Sequence, residues 1–248
     1  MRRVAAAALV LAAWEAIVAG LRMPPWVMPG PAATATALWN GRATIAAHLA
    51  FTLEGAMAGL AASVGVALTL AVSFVLSDSL ARSTMPLLVV LRTVPVVAVA
   101  PLLVVAVGRS LWTSVTVALI VSFFPLLLNA TRGLRAAPEP TLAMMHVAGA
   151  SWWQKIWKVR LPYAVPHLFT GLRLAAANAL LGAMLAEWLS GTPGLGFLIL
   201  DAAAMQDVAR LWALAGIGML TGLTFYRSLG AVEARLDWLE HDLTAPIR

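Results

Sequence analysis

Four ionisable side chains fall inside otherwise apolar stretches of this chain: Glu54, Arg92, Arg173 and Glu187. Charged groups at such depth are costly and are functional candidates by default. Glu54 and Glu187 lie near the expected outer ends of their segments, where snorkelling or contact with water would satisfy them. Arg173 sits close to an inner boundary and has the same recourse, whereas Arg92 is about two turns inside and is the least easily explained. Carboxylates paired near a midplane would suit a proton-coupled secondary transporter, and groups converging at one depth would suit an intramembrane enzyme. The sequence scatters them instead. The four histidines, His48, His146, His167 and His241, read as interface or helix-end residues rather than haem ligands. The sequence has no G-x-x-x-x-G-K-[ST], H-E-x-x-H or G-x-S-x-G motif, so no phosphate-cradling loop, zincin helix or hydrolase elbow is expected. No catalytic and no metal-binding residues are expected.

The elements that hold these groups follow from composition. Of 248 residues, 61% are hydrophobic and 11% charged, with no cysteine. A soluble domain needs about 25% charged residues to clothe its surface, so the chain is read as a membrane protein without disulfides or thiolate metal sites. Crossing ~30 Å of hydrocarbon takes ~20 helical residues. Six stretches qualify, near Val4–Leu21, Leu49–Leu76, Pro86–Val107, Trp112–Leu128, Val165–Leu189 and Val208–Phe225. Period-2 alternation is absent, which argues against a β-barrel and for helices. The expected fold class is therefore all-α, a polytopic membrane protein with about six transmembrane helices, organised as a single domain over 1–248. Arg2 and Arg3 before an apolar core also resemble a signal peptide, but Trp14 and Glu15 interrupt that core and favour a retained helix. Outside, the segment Arg22–His48 is expected to hold a short helix near Ala32–Trp39.

With the N-terminus inside, eleven of the 17 Lys and Arg residues fall on inner segments, four on outer ones and two within spans. That bias places both termini in the cytoplasm. The net charge of +6 then concerns membrane topology and subunit docking, with no nucleic acid implied.

One inner loop is substantial, about 131–162. Thr141–Ala148 is expected to form a short helix, and Gly149 permits a sharp turn. Ser151 stands as an N-cap with Gln154 at N3, the pattern of a capping box. A second helix is expected to stop before Pro162, with Trp153, Ile156 and Trp157 on one face and Lys155, Lys158 and Arg160 largely on others. Such a helix fits two roles: lying in the lipid headgroup layer on its Trp and Lys anchors, or inserting as a knob into a cytoplasmic partner.

Gly149, nine residues, Val159, one residue and Leu161-Pro162 resemble the permease signature of bacterial ABC importers, Glu-Ala-Ala, three residues, Gly, nine residues, Ile, one residue, Leu-Pro. Val replaces Ile, and Ala143-Met144-Met145 stands where Glu-Ala-Ala is expected. Further likenesses are to the nitrate, sulfonate, taurine and pyrimidine-precursor branch. They comprise Thr93-Val94-Pro95 with Pro101-Leu102; Phe123-Phe124-Pro125, Asn129 and Gly133; Pro162 to Pro166 with Gly171-Leu172-Arg173; Glu187 with Gly194-Leu195-Gly196; and Trp238.

The resemblance implies a transport subunit and no enzyme. Two copies would form the pore in the bacterial inner membrane, amid lipid. A pair of ATPase subunits would bind below, and a periplasmic or lipid-anchored solute-binding protein would deliver solute from above. ATP and Mg would sit on the ATPase, with no cofactor on this chain. By the same resemblance Ala148–Ile156 is the coupling helix. The residues expected to meet the ATPase are Ala143, Met144, Met145, Ala148, Gly149, Ala150, Ser151, Trp152, Trp153, Lys155, Ile156, Val159, Leu161 and Pro162. The candidate solute path comprises Arg92, Thr93, Pro95, Pro101, Pro125, Asn129, Asn178 and Glu187. Prolines 95, 101 and 125 each remove an amide and are expected to kink or unwind their spans, or simply to curve them. Thr93, Asn129, Thr131 and Asn178 face either the channel or neighbouring helices. Leu91–Val105 and the fifth span look most like permeases for thiamine-precursor pyrimidines or riboflavin, with the sulfonate and nitrate members close behind. An anionic solute would use Arg92, and a neutral aromatic one a lining of Phe, Trp and Met.

Overall fold

The computed structural model describes residues 2–235, and these are helical and connected by short turns. Trp238 and His241 lie outside the described residues. The helices are α1 (Arg2–Gly20), α2 (Pro31–Leu76), α3 (Asp78–Thr93), α4 (Val96–Val107), α5 (Leu111–Arg135), α6 (Glu139–Val147), α7 (Trp152–Lys155), α8 (Leu161–Ser190), α9 (Leu195–Ala204) and α10 (Val208–Ala234). A π-turn, Ile156–Arg160, fuses α7 to α8.

Among the described residues, α2, α5, the α7–α8 rod and α10 are each long and apolar enough to cross a membrane. The α3–α4 pair adds a fifth only if counted as one span, because it is bent by 94°. In α1 the apolar stretch Ala8–Gly20 is shorter, so four or five spans are counted among the described residues, beside about six expected.

Two boundaries depart from expectation for identifiable reasons. The outer helix at Ala32–Trp39 and the span from Leu49 are one helix of 46 residues, roughly 70 Å long at 1.5 Å per residue. Asn40–His48 joins the two halves, and its lone glycine, Gly41, costs about 1 kcal/mol, too little to end a helix that packs along its length. Conversely, Pro86–Val107 is not one helix but part of the bent α3–α4 pair. Pro95 lacks an amide and biases Val94 away from the helical region, so the chain turns there and restarts with Pro95 as the N-cap of α4. Pro101 and Pro125 stay inside continuous helices.

The centre is α5, flanked by α2 and α8. In lipid the apolar effect between helices is weak, and close approach of small residues does the packing. Gly59 of α2 and Gly182 of α8 both converge on Ala118: a Cβ at Gly59 would sit 2.6 Å from the Ala118 Cβ, and one at Gly182 3.0 Å from its Cα. Ala67, Ala71, Ala175, Ala179 and Ala183 extend this small-residue seam, and Phe74 and Leu127 are its large buried side chains. Asn178 completes it. Pro125 cannot donate to the Val121 carbonyl, and the Asn178 amide reaches that oxygen from α8 at 3.5 Å, while Asn129 Nδ2 donates to the Pro125 carbonyl at 2.8 Å. Elsewhere Trp14 of α1 stacks on Trp212 of α10 at 5.6 Å and donates to the Pro29 carbonyl. Arg173 does not snorkel; it pairs with Glu233 of α10 and lies over the Tyr226 ring.

Candidate functional site

Three places in this frame gather polar residues. The first is a cleft of about 720 Å³ between the α3–α4 hook, α5 and α8. Arg92, Pro125, Asn129 and Asn178 line it together with Leu91, Val99, Leu119 and Phe123. The Arg92 guanidinium lies 4.8 Å above the Phe124 ring, a cation–π contact that lets a cation face apolar surroundings. Four candidate path residues are thus brought together. Thr93, Pro95 and Pro101 are not among the lining residues; they are exposed on the hook, where the Thr93 hydroxyl donates to the Val90 carbonyl. Glu54 is exposed on α2, and Thr131 is buried with an unpartnered hydroxyl.

The second is the turn between α6 and α7, the inner turn by the expected topology. Helix α6 ends in a Schellman pattern: the Ala150 amide donates to the Met145 carbonyl and the Gly149 amide to the His146 carbonyl, both at 3.0 Å. Gly149 takes φ +72°, which an L side chain rarely adopts, so the turn depends on glycine. Ser151 then caps α7. Its hydroxyl accepts from the Gln154 amide (3.3 Å) and its amide donates to Gln154 Oε1 (2.8 Å), the expected capping box. Lys155 Nζ donates to His146 Nδ1 at 3.1 Å across the turn.

The exposed members of the expected docking set are Ala143, Met144, Ala148, Gly149, Ser151, Trp152 and Trp153, while Met145, Ala150, Lys155, Leu161 and Pro162 are half-buried. The expected single face of Trp153, Ile156 and Trp157 is not found. Ile156 is 6% exposed and turned inward with Val159, whereas Trp153 and Trp157 are 56% and 62% exposed. The π-turn separates them by adding a residue to the helical repeat. Nor does the helix stop before Pro162: proline falls in the first turn after the π-turn, where its missing amide is least costly, and the helix runs on as α8. The expected coupling helix, Ala148–Ile156, is accordingly a turn plus the four-residue α7. Arg160 anchors the assembly by donating to the Leu134 carbonyl at 2.8 Å.

The third place is at the opposite end of α8. Glu187 does not snorkel there; it is fully buried. Helix α9 begins at Gly194, which offers no side-chain cap, and three of its first amides are capped by other helices. The Gly194 amide donates to His48 Nδ1 (2.9 Å), the Leu195 amide to Thr52 Oγ1 (2.8 Å) and the Gly196 amide to Glu187 Oε2 (2.9 Å). The Thr52 hydroxyl donates to the same carboxylate oxygen at 3.0 Å, tying α2 to α8. Gly194 has φ +150°, and a Cβ there would overlap the Glu187 carboxyl. A carboxylate at a helix N-terminus is also favoured by the helix dipole. His48 and Thr52 are absent from the expected site list because they lie 146 and 135 residues from their partners, and no local pattern joins them. Among the described residues no group of three or more His, Asp or Glu side chains could hold a metal ion.

Comparison with known proteins is consistent with this arrangement. Residues 63–238 match the family described as binding-protein-dependent transport system inner membrane component. The riboflavin transport system permease protein RibX of Chloroflexus aurantiacus is 33% identical over 231 residues, 92% of this chain and 86% of that protein. The formylaminopyrimidine transport permease protein ThiX of Halalkalibacterium halodurans is 28% identical over 91% of this chain and 90% of its own length. The taurine transport system permease protein TauC of Escherichia coli is 30% identical over 78% and 70%. Membrane-crossing helices wrapped around a small-residue seam, an exposed inner turn with the importer spacing and a match over most of the chain agree: this chain belongs to the binding-protein-dependent transport system inner membrane components, the multi-pass permease subunits of ABC importers.

Proposed function

We propose that this permease moves a small heteroaromatic solute of the flavin or pyrimidine class, and that the solute passes the face carrying Arg92, Pro125, Asn129 and Asn178. The observation that carries this reading is the cleft itself: broad apolar walls, aromatic rings at Phe123 and Phe124, and a few polar groups on one side. Such a surface suits a flat ring with hydrogen-bonding edges, since sites of this kind are mostly apolar with few polar groups fixing orientation. The relatives named for riboflavin and formylaminopyrimidine also match over more of this chain than the one named for taurine. A second reading, a sulfonate-like anion, rests on Arg92 alone.

Two copies of the chain, each a single domain over 1–248, form the pore, with the hook residues Thr93, Pro95 and Pro101 turned toward the second copy and lipid around the outside. Both termini face the cytoplasm. The ATPase pair, carrying ATP and Mg, grips the inner turn around Gly149. This chain needs no cofactor. Glu187, buried within the protomer, is removed from the path and given another role below.

The test is uptake by the chain reconstituted with its ATPase and binding protein in proteoliposomes. Riboflavin or formylaminopyrimidine should be transported in preference to taurine and nitrate, and Arg92→Gln should lower uptake about fivefold, the scale of a cation–π contact of about 1 kcal/mol. Preference for taurine or nitrate would establish the second reading.

A further inference from the structure

The cluster of His48, Thr52, Glu187 and Gly194 is unexplained by the transport path, and a buried carboxylate is too costly to be incidental. Its geometry binds three elements at one point. Thr52 belongs to α2, Glu187 to α8, and the amides they cap open α9. Helix α9 leads to an exposed turn at Met205, Gln206 and Asp207, whose neck is closed by the Arg210–Asp201 ion pair at 3.0 Å. In the other direction, α8 continues without interruption as the 39-residue rod Trp152–Ser190 that ends at the inner turn.

We propose that Glu187 is a positioning residue that clasps α9 to α8, so that engagement of the solute-binding protein at the Met205–Asp207 turn moves the α7–α8 rod and reaches the ATPase. The inference rests on the topology given under Proposed function. The clasp works by stiffness. With the first amides of α9 bonded to α2 and α8 side chains, α9 cannot slide without breaking several buried hydrogen bonds at once, and buried polar groups left unpaired are expensive. The load therefore passes to α8 rather than being lost in the α8–α9 connection. Gly194 is required because any larger residue would push the carboxyl away from the amides it caps.

The experiment uses the assembled complex of permease, ATPase and solute-binding protein in lipid nanodiscs. It measures ATPase turnover alone and with liganded binding protein. Glu187→Ala should leave basal turnover within about twofold of the parent and cut the stimulation by binding protein about fivefold or more, because the capping acceptor of the Gly196 amide is lost. Glu187→Gln keeps an acceptor oxygen for Thr52 and Gly196 and should retain the stimulation. Thr52→Val should lose part of it, and decides the matter by the same ratio if the alanine variant does not assemble. Full stimulation in Glu187→Ala, a parallel fall of basal and stimulated turnover, or a glutamine variant as deficient as alanine would each overturn the clasp. Absence of stimulation in the parent complex would overturn both the clasp and the transport reading beneath it.

Discussion

The two ends of the α7–α8 rod use polar groups in opposite ways. At the end beside α9, outer by the expected topology, Glu187, Thr52 and His48 spend their hydrogen bonds inward, on the amides of α9, and Glu187 and Thr52 are fully buried. At the inner end, Ser151, Gln154 and Lys155 bond only to their own turn, and stacked Trp152 and Trp153, 4.3 Å apart, are left facing out. The first arrangement ties elements of one protomer together. The second builds a stiff, self-satisfied knob whose apolar surface is available to another chain. A transport subunit that receives energy from elsewhere needs both: an internal joint that does not yield and an external handle of fixed shape.

Substitutions can separate the two. The largest effect is expected at the joint. In Gly196→Val the new side chain would overlap the Met184 backbone carbonyl, which cannot turn aside as a flexible side-chain tip can. The expected loss is about 3 kcal/mol or more, seen as a clearly lowered melting temperature in detergent and absent uptake. A variant of unchanged stability would show that the outer end is loosely held and would break the comparison. At the handle, Gly149→Val should act differently. Open space surrounds Gly149, so the only penalty is the positive φ, about 1–2 kcal/mol. Global stability should fall little, while uptake and copurification of the ATPase fall at least tenfold because the turn changes shape. Equal losses in stability and coupling would erase the distinction. The mildest case is Ser151→Ala, which removes a capping hydroxyl worth about 1 kcal/mol from a four-residue helix. Uptake should decline a few-fold with no detectable shift in melting temperature; an unchanged rate would show that partner contacts alone hold α7 in place.

Local chemistry explains which parts could be read without coordinates. The inner turn was legible because its determinants lie within a few residues: glycine for the positive φ, a serine and glutamine three apart for the cap, a proline tolerated at a helix start. Spans were legible as apolar runs and Pro95 as a candidate kink, but which of the three prolines breaks its helix was not. Pro95 stands at a helix break and Pro101 inside a continuous helix, so the ring alone does not decide. The continuity of α2 through Asn40–His48 likewise depends on neighbours that hold it. The outer joint was half visible: Glu187 and Gly194-Leu195-Gly196 stand close together in sequence, but the residues that complete it are far upstream. The same distance hid the role of Asn178, which supplies the Val121 carbonyl with the donor that Pro125 lacks. Orphaned backbone groups are created locally and satisfied globally.

The π-turn between Lys155 and Leu161 gives the rod slack in its length at this point. The Leu161 amide bonds to the Ile156 carbonyl, so one residue more than an α-turn holds is accommodated there. Deleting a single codon within 156–160 would let an ordinary α ladder close over the same revolution, and the Trp152–Trp153 face would keep its bearing relative to the Glu187 end. The same deletion in the regular part of α8 has no spare residue to absorb it and would turn one end against the other by about 100°. A frame-preserving deletion of one residue should therefore uncouple the subunit far more completely in mid-α8 than within 156–160.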